Sequence, residues 1–524
     1  MLLRKLTGVV FLFVNIMFCY GSEIDGKKFI DPNLPDCGIQ KAIDSLGQEG
    51  GTVVLPEGRF ILSRTILLRN NVILKGQGEK TILTHKLNNR WLKVVSVNEE
   101  EKTITLEEIP EDLKIGSSIF IWPGKPVTGW LGYYEPQIIT SISENTIKID
   151  GVMARLKGAK FISYGHFSTL VQDCRKGDDR LLVSETSIFV PGGAIVVGSG
   201  DSNANESLSF IKEIRDRTLI LERPIRMDHL TTDQGFWKRP LVWTIFPLIT
   251  AEGAKNIGIK NLVLESAFPP DERPKLRRYT CSPIHLYNVE NGVVENVIVR
   301  NSFADGISVQ GGKNIVVRNC EVYGSSGNGF HPGTGLNNSV FENNLSHHNG
   351  GDGIYFCWHN RFVKILNNKI WENSGAGIGG LGNPGDIENL IEGNLIEKNS
   401  GPGIGINGGK TSKNIIRKNI IRDNSKGNPG KFPGILIHAA VEDAKAYLIE
   451  ENIIESTEPE PCQHVGIEER NGKYKDTITL ADENTIKNNK FKGHKIADIV
   501  VSGSKTVVEN PDAKITKKEE PETK

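Results

Sequence analysis

An all-β, right-handed parallel β-helix is the fold class this sequence predicts, because three columns of residues recur with one rhythm. The tripeptide X-Gly-Ile/Phe returns at Asp305, Asn328, Asp352, Ala376 and Pro402, at intervals of 23, 24, 24 and 26 residues. Asn296, Cys320, Asn344, Asn368, Asn394 and Asn419 form a second series, spaced 24, 24, 24, 26 and 25. Asn301, Ser325, Asn349, Asn373, Asn399 and Asn424 run beside it with the same spacing. One period is one turn of a solenoid. A leucine-rich repeat has a similar period but needs a leucine scaffold, whereas these columns hold Ile, Val, Asn and Gly. Runs such as NIVVRNCEV and NIIRKNIIRD alternate β-branched and polar residues, the period of a strand with one buried face. Asn and Gly between them suit left-handed turns, and asparagines stacked along the axis can bond to one another. No single repeat buries its own face, so many must stack.

The elements follow in order. Residues 1–21 carry two basic residues and then a short apolar run, the pattern of a secretory signal cut near Ser22. Secreted or periplasmic localisation is expected, with lipoprotein anchoring at Cys19 as the alternative. Residues 22–89 hold a cap and the first coils: a short amphipathic helix over Ile39 to Leu46, then Gly-Gly, then strands. Such a helix covers the open edge of the first coil. The segments GGTVVLPEGRFIL and NVILKGQG that follow resemble the N-terminal part of the pectate-lyase-like β-helix superfamily, which includes pectate lyases, polygalacturonases and phage tailspike enzymes. With the later coils, the resemblance spans about two thirds of the chain. It implies a β-helix that acts on polysaccharides, and it leaves the reaction open because members differ in chemistry.

Between residues 90 and 235 the rhythm is lost. Two stretches there look like copies of each other, TITLEEIPEDLKIGSSIFIW with IITSISENTIKIDGVM, and LLVSETSIFVPGGAIVVGSG with FIKEIRDRTLILERPI. Each reads as strands ending in a hairpin, and together they predict two small inserted β modules forming a wall beside the solenoid. Residues 236–509 are the main coils, interrupted by AFPPDERPKLRRYT at Ala267 to Thr280. Residues 510–524 form a charged, disordered tail.

Composition narrows the function. Lys plus Arg equals Asp plus Glu at 63 each, so the net charge is zero and neither nucleic acid nor an anionic membrane is the expected partner. The six cysteines past the signal, Cys37, Cys174, Cys281, Cys320, Cys357 and Cys462, have neither metal-ligand nor disulfide-framework spacing. Oligomeric state is not legible.

Registering strands on the buried Ile or Phe of the tripeptide places the next residue on the outer face. That column reads His285, Ser308, His331, Tyr355, Gly379 and Gly405, with neighbours about 4.8 Å apart, and the two glycines predict open floor. A turn column carries Asp305 and Asp352 two rungs apart, about 9.6 Å. Trp358, His359 and Arg361 would form one rim, and Arg273, Arg277 and Arg278 of the inserted loop would face an anionic ligand. The polysaccharide partner is therefore expected to be acidic.

Four functions fit. A lyase of a uronate polysaccharide would use His331 or His285 to neutralise the carboxylate or as base, Tyr355 for proton transfer, and the loop arginines for binding. Epimerisation at C5 shares the same proton abstraction. An inverting glycoside hydrolase would use Asp305 and Asp352, whose spacing lies near the upper end of the roughly 6.5 to 9.5 Å range. SFADGISV resembles an Asp-bearing segment of polygalacturonases, but SSGNGFHP replaces the paired Asp expected on the next coil. A noncatalytic glycan-binding β-helix would need only aromatics and cations. No cofactor is expected; Asp305, Asn328 and Asp352 offer calcium three oxygen donors on neighbouring coils.

Overall fold

The computed structural model describes residues 21–86, 90–124, 136–151, 158–198, 206–231, 240–267, 279–410 and 412–518. The signal segment and Cys19 therefore lie outside the described residues, apart from Gly21. Among the described residues no helix is long and apolar enough to cross a membrane.

Parallel strands stack into a long β-helix with a 22-stranded and a 12-stranded sheet. The smaller sheet runs from Ile66–Leu68 through Ile249–Glu252, Ile284–Tyr287, Ile307–Gln310, Phe330–Pro332, Ile354–Tyr355 and Ile378–Leu381 to Ile515–Lys517. Ile66 pairs with Ile249 in register, so the inserted modules enter between adjacent rungs without breaking the stack. The tripeptide Ile and Phe residues, Ile307, Phe330, Ile354, Ile378 and Ile404, are fully buried and form one interior column of the core. The tripeptide glycines are required by close approach. A β-carbon on Gly353 would sit 2.7 Å from the Gly377 carbonyl oxygen, and one on Gly377 would meet Gly403 at the same distance. The expectation of a left-handed backbone there is corrected.

The left-handed positions lie elsewhere, at asparagines and at glycines such as Gly324 and Gly393. Asn261, Asn296, Asn319, Asn343 and Asn367 all have φ between 53° and 57°. This reassigns two residues of the sequence columns. Glu295 pairs with Arg318, a step of 23, so Asn296 aligns with Asn319, and Cys320 falls one place later. Asn301 likewise stacks on Gly324, and its amide N–H bonds the Tyr323 carbonyl. From Asn344 onward the inner ladder holds: Asn344, Asn368, Asn394, Asn419 and Asn452 each donate Nδ2–H to the next amide oxygen at 2.9–3.0 Å.

The cap helix spans Ile39–Ser45, one residue short of the prediction, because Leu46 is already extended. The first module, Arg90–Asn98 to Phe161–Tyr164, closes into a six-stranded antiparallel barrel. The second, Phe167–Thr169 to Leu241–Trp243, stays an open six-stranded sheet. Their predicted likeness is visible in the matching hairpins, each with a positive-φ tip residue, Glu144 or Asp216, and a bulge at Ile139/Ser141 or Ile211/Glu213. The module boundary moves from 235 to Trp243, since Leu241–Trp243 pairs with both Phe167–Thr169 and Ala194–Gly198. The predicted disordered tail is corrected in its first part, where Ile515–Lys517 pairs with Ile499–Val501; residues 519–524 lie outside the described residues.

A shared aromatic core joins the three parts. Phe120 and Trp122 of the first module, Phe167, Phe210 and Trp243 of the second, and Phe246, Cys281 and Phe303 of the coils are all buried together. Among the described residues no two cysteines form a disulfide.

Candidate functional site

The outward column forms as the register requires. His285 pairs with Ser308 and Ser308 with His331, while Tyr355 pairs with Gly379. A bulge between Ile378 and Leu381 then shifts the column before Gly405. Of the two column glycines only Gly379 is closed, since a β-carbon there would run into the Asp352 carboxylate, whereas one on Gly405 would meet nothing nearer than 3.4 Å.

Nor is His331 exposed. At 4% accessibility it is enclosed by two phenol rings, Tyr355 at 5.1 Å and Tyr279 at 5.2 Å, both edge-on to the imidazole. Tyr279 comes from the turn Tyr279–Cys281, and Cys281 anchors that turn in the shared aromatic core. His285 lies on the far side of Tyr279, with ring centroids 6.0 Å apart.

Asp305 holds this centre. Its Oδ1 accepts from the Asn328 amide at 2.6 Å, and its Oδ2 pairs with His331 Nδ1 at 2.6 Å. The turn column continues the pattern: Asn328 Oδ1 accepts from the Asp352 amide, and Asp352 Oδ1 from the Ala376 amide. These side chains cap the next rung, so Asp305 and Asp352 are turn formers, and Asp305 is bonded to His331 as well. Among the described residues no three His, Cys, Asp or Glu side chains gather as a metal site.

Burial alone would drive His331 toward neutrality, but the Asp305 carboxylate outweighs it and, with Cys357, lifts the imidazole to about 9. His331 is therefore a cation at neutral pH; among the described residues its Nε2 makes no hydrogen bond of strict geometry, and the Cys357 sulfur acts on the same imidazole. Burial and the neighbouring His331 charge push His285 down to about 4, leaving a neutral imidazole whose Nδ1 is likewise unpartnered. Tyr355 rises to about 12, chiefly by burial, and keeps its proton.

Cys357, read from the sequence only as a scattered cysteine, lies against the same cluster. Burial raises its thiol, yet His331 draws it below the ordinary value. Its backbone is pinned by Asn360, whose Nδ2 donates to the Cys357 carbonyl at 2.7 Å and whose amide donates to Asp386 Oδ1 at 2.8 Å. The segment CWHNRF was a signal for this turn, but nothing in it indicates which way the thiol points.

Trp358, half exposed, with exposed His359 and Arg361, follows directly as a rim. Arg273, Arg277 and Arg278 lie outside the described residues. His347 is elsewhere, stacked between Tyr323 at 5.2 Å and Trp371 at 4.1 Å on the other sheet.

A family model for the right-handed β-helix region matches residues 282–446, the stretch that carries these rungs. No curated protein matches the chain. Among solved structures, the A-module of the Azotobacter vinelandii mannuronan C-5 epimerase AlgE4 is similar, with a TM-score of 0.51 and 15% identity over 93% of this chain and 100% of that one. The AlgE6 A-module from the same organism gives 0.50 and 14%, over 95% and 100%. Sheet pairing, core columns and family model agree: the chain is a right-handed parallel β-helix.

Proposed function

We propose that the protein is a polysaccharide-active enzyme that removes the C5 proton of a uronate residue and completes the reaction by β-elimination. The observation that carries this reading is the buried Asp305–His331 pair, which holds a cationic imidazole between two phenols with the Cys357 sulfur beside it. A cation held in a low-dielectric site suits a carboxylate ligand, and neutralising that carboxylate acidifies the adjacent C–H.

In this reading His331 donates Nε2–H to the substrate carboxylate. His285 takes the C5 proton; its basicity rises once the carboxylate offsets the His331 charge that holds it down. Tyr355 gives its proton to the glycosidic oxygen as the C4–O bond breaks, and the electron pair from C5–H becomes the C4–C5 double bond. Trp358 offers an apolar face to the sugar ring.

A second reading, C5 epimerisation, is favoured by Tyr279, which brings a second protonated phenol to the opposite side of His331. The whole-length likeness to epimerase A-modules fits it too. Hydrolysis fits less well, because both Asp305 oxygens are already engaged. A noncatalytic glycan binder has no use for a buried charged pair.

Incubation with polymannuronate, polyguluronate and polygalacturonate in deuterated water tests these readings. Elimination gives ultraviolet absorbance from the unsaturated product, and epimerisation gives deuterium at C5 without it. Reducing ends lacking both would overturn the proposal in favour of hydrolysis.

A further inference from the structure

A cleft of about 600 Å³ opens between the second module and the coil sheet, beside the His331 centre. Tyr279 and His285 line the cleft, and Tyr279 also packs against the His331 ring, so the cleft adjoins the His331 centre. Its floor is the coil sheet, with Thr250, Tyr287 and Gln310; Tyr287 is 44% exposed and offers a flat apolar surface. Its wall is the second module, with Leu208, Arg223 and Arg226. Size and mixed apolar and polar lining are those of a small-ligand site.

The charged groups in and around that wall differ in how directly they are paired. Arg64 is bonded to Glu222 through both guanidinium nitrogens, at 3.0 and 2.7 Å. Arg226 is bonded in the same two-pronged way to Glu252, at 2.5 Å twice. Glu206, at the mouth, accepts from the Thr280 hydroxyl. Arg223 is left over: among the described residues its guanidinium has no carboxylate partner. It packs 5.1 Å from the Phe210 ring, which also carries Arg64 at 4.0 Å. Glu222 and Glu252 act on Arg223 only through space, against burial and the charges of Arg226 and Arg64; a stacked guanidinium without a direct ion pair has its bidentate donors available to an incoming carboxylate.

We propose that this cleft is a second sugar-binding subsite, in which Arg223 takes the carboxylate of the uronate residue next to the one at His331. The assignment rests on the uronate reading above and adds to it that the enzyme selects an acidic neighbour. It also gives the inserted second module a role, as the wall that reads the chain.

The test is calorimetric binding by the full chain of mannuronate, guluronate and galacturonate tetrasaccharides, each with its carboxyl-reduced counterpart. The wild type is expected to prefer one acidic tetrasaccharide over its neutral form. Arg223→Met keeps the apolar contact with Phe210; it should weaken that acidic ligand about tenfold and leave the neutral one unchanged. Arg223→Lys should fall between, and thermal melting should confirm that both variants fold. Equal weakening of both ligands, unaltered acidic binding in Arg223→Met, or no acidic preference in the wild type would overturn the subsite. Turnover separates the two ideas. Product formation by Arg223→Met with an unchanged KM removes the subsite and leaves the reaction. Lost acidic preference in Arg223→Met, with no unsaturated or epimerised product from the wild type, keeps the subsite and removes the reaction.

Discussion

Asp305 bonds His331 at Nδ1 and a backbone amide with its other oxygen, so the imidazolium is fixed in orientation. Asp305→Asn keeps the shape and removes the charge, so His331 should lose its elevated pKa and kcat should fall about 10²- to 10⁴-fold. The pH dependence has a definite sign. A histidine raised from 6.5 to about 9 on folding contributes stability that is complete below about 6.5 and lost as pH rises through about 9. Wild-type activity should therefore fall on the alkaline side near that value. In Asp305→Asn the alkaline limb should move to lower pH, and imidazole NMR titration reads the same shift directly. Cys357 gives an independent check. Because the His331 cation favours its thiolate, its alkylation by iodoacetamide should titrate below the ordinary thiol value of about 8.5, and in His331→Ala it should titrate above it. An unchanged midpoint in His331→Ala would disconnect the two side chains.

Each rung is held by its neighbours rather than by itself, and the inner asparagine ladder shows how. Asn394 donates to Asn419 Oδ1 at 2.9 Å and to the Ile365 carbonyl at 2.9 Å, while its own oxygen accepts from Asn368. Asn394→Ala leaves those buried groups unpaired and should cost about 1–3 kcal/mol in urea unfolding. Asn489→Ala, near the end of the stack where the next ladder contact stretches to 3.5 Å, should cost less. Equal losses would mean that ladder position is irrelevant. This part of the fold was readable because strict periodicity makes register a matter of counting. The count failed at Asn296 and Asn301, where one coil is 23 residues long and asparagine occupies both the ladder and the left-handed turn. A residue type that serves two adjacent positions cannot reveal a one-residue slip.

The centre itself was only half visible in the sequence, and the reason lies in the whole molecule. His331, Tyr355 and His285 belong to the repeat, so their alignment follows from its rhythm. Tyr279, Cys357 and Arg223 sit on loops or in the second module, where no period relates them to the coils. The aromatic core shared by both modules and the helix places the Tyr279 turn, and Asn360 places Cys357. Phe303 and Ala304 lie in that core directly before Asp305, and Cys281 lies in it two residues after Tyr279. The modules therefore brace both sides of His331 without contributing to the ring of reacting groups. Phe120→Ala, a change within the first module, should cost about 3–5 kcal/mol locally by opening a cavity against Phe167 and Trp243. Solenoid rungs interact mainly with their nearest neighbours, so the coils beyond Ile378 should keep their protection in amide hydrogen exchange. The Tyr279 turn and the Asp305 turn should lose theirs, and kcat should fall although no residue of the site has changed. Loss of protection along the entire helix would mean that the molecule unfolds as one unit. Full activity with a loosened barrel would mean that the modules only cover the site and do not position it.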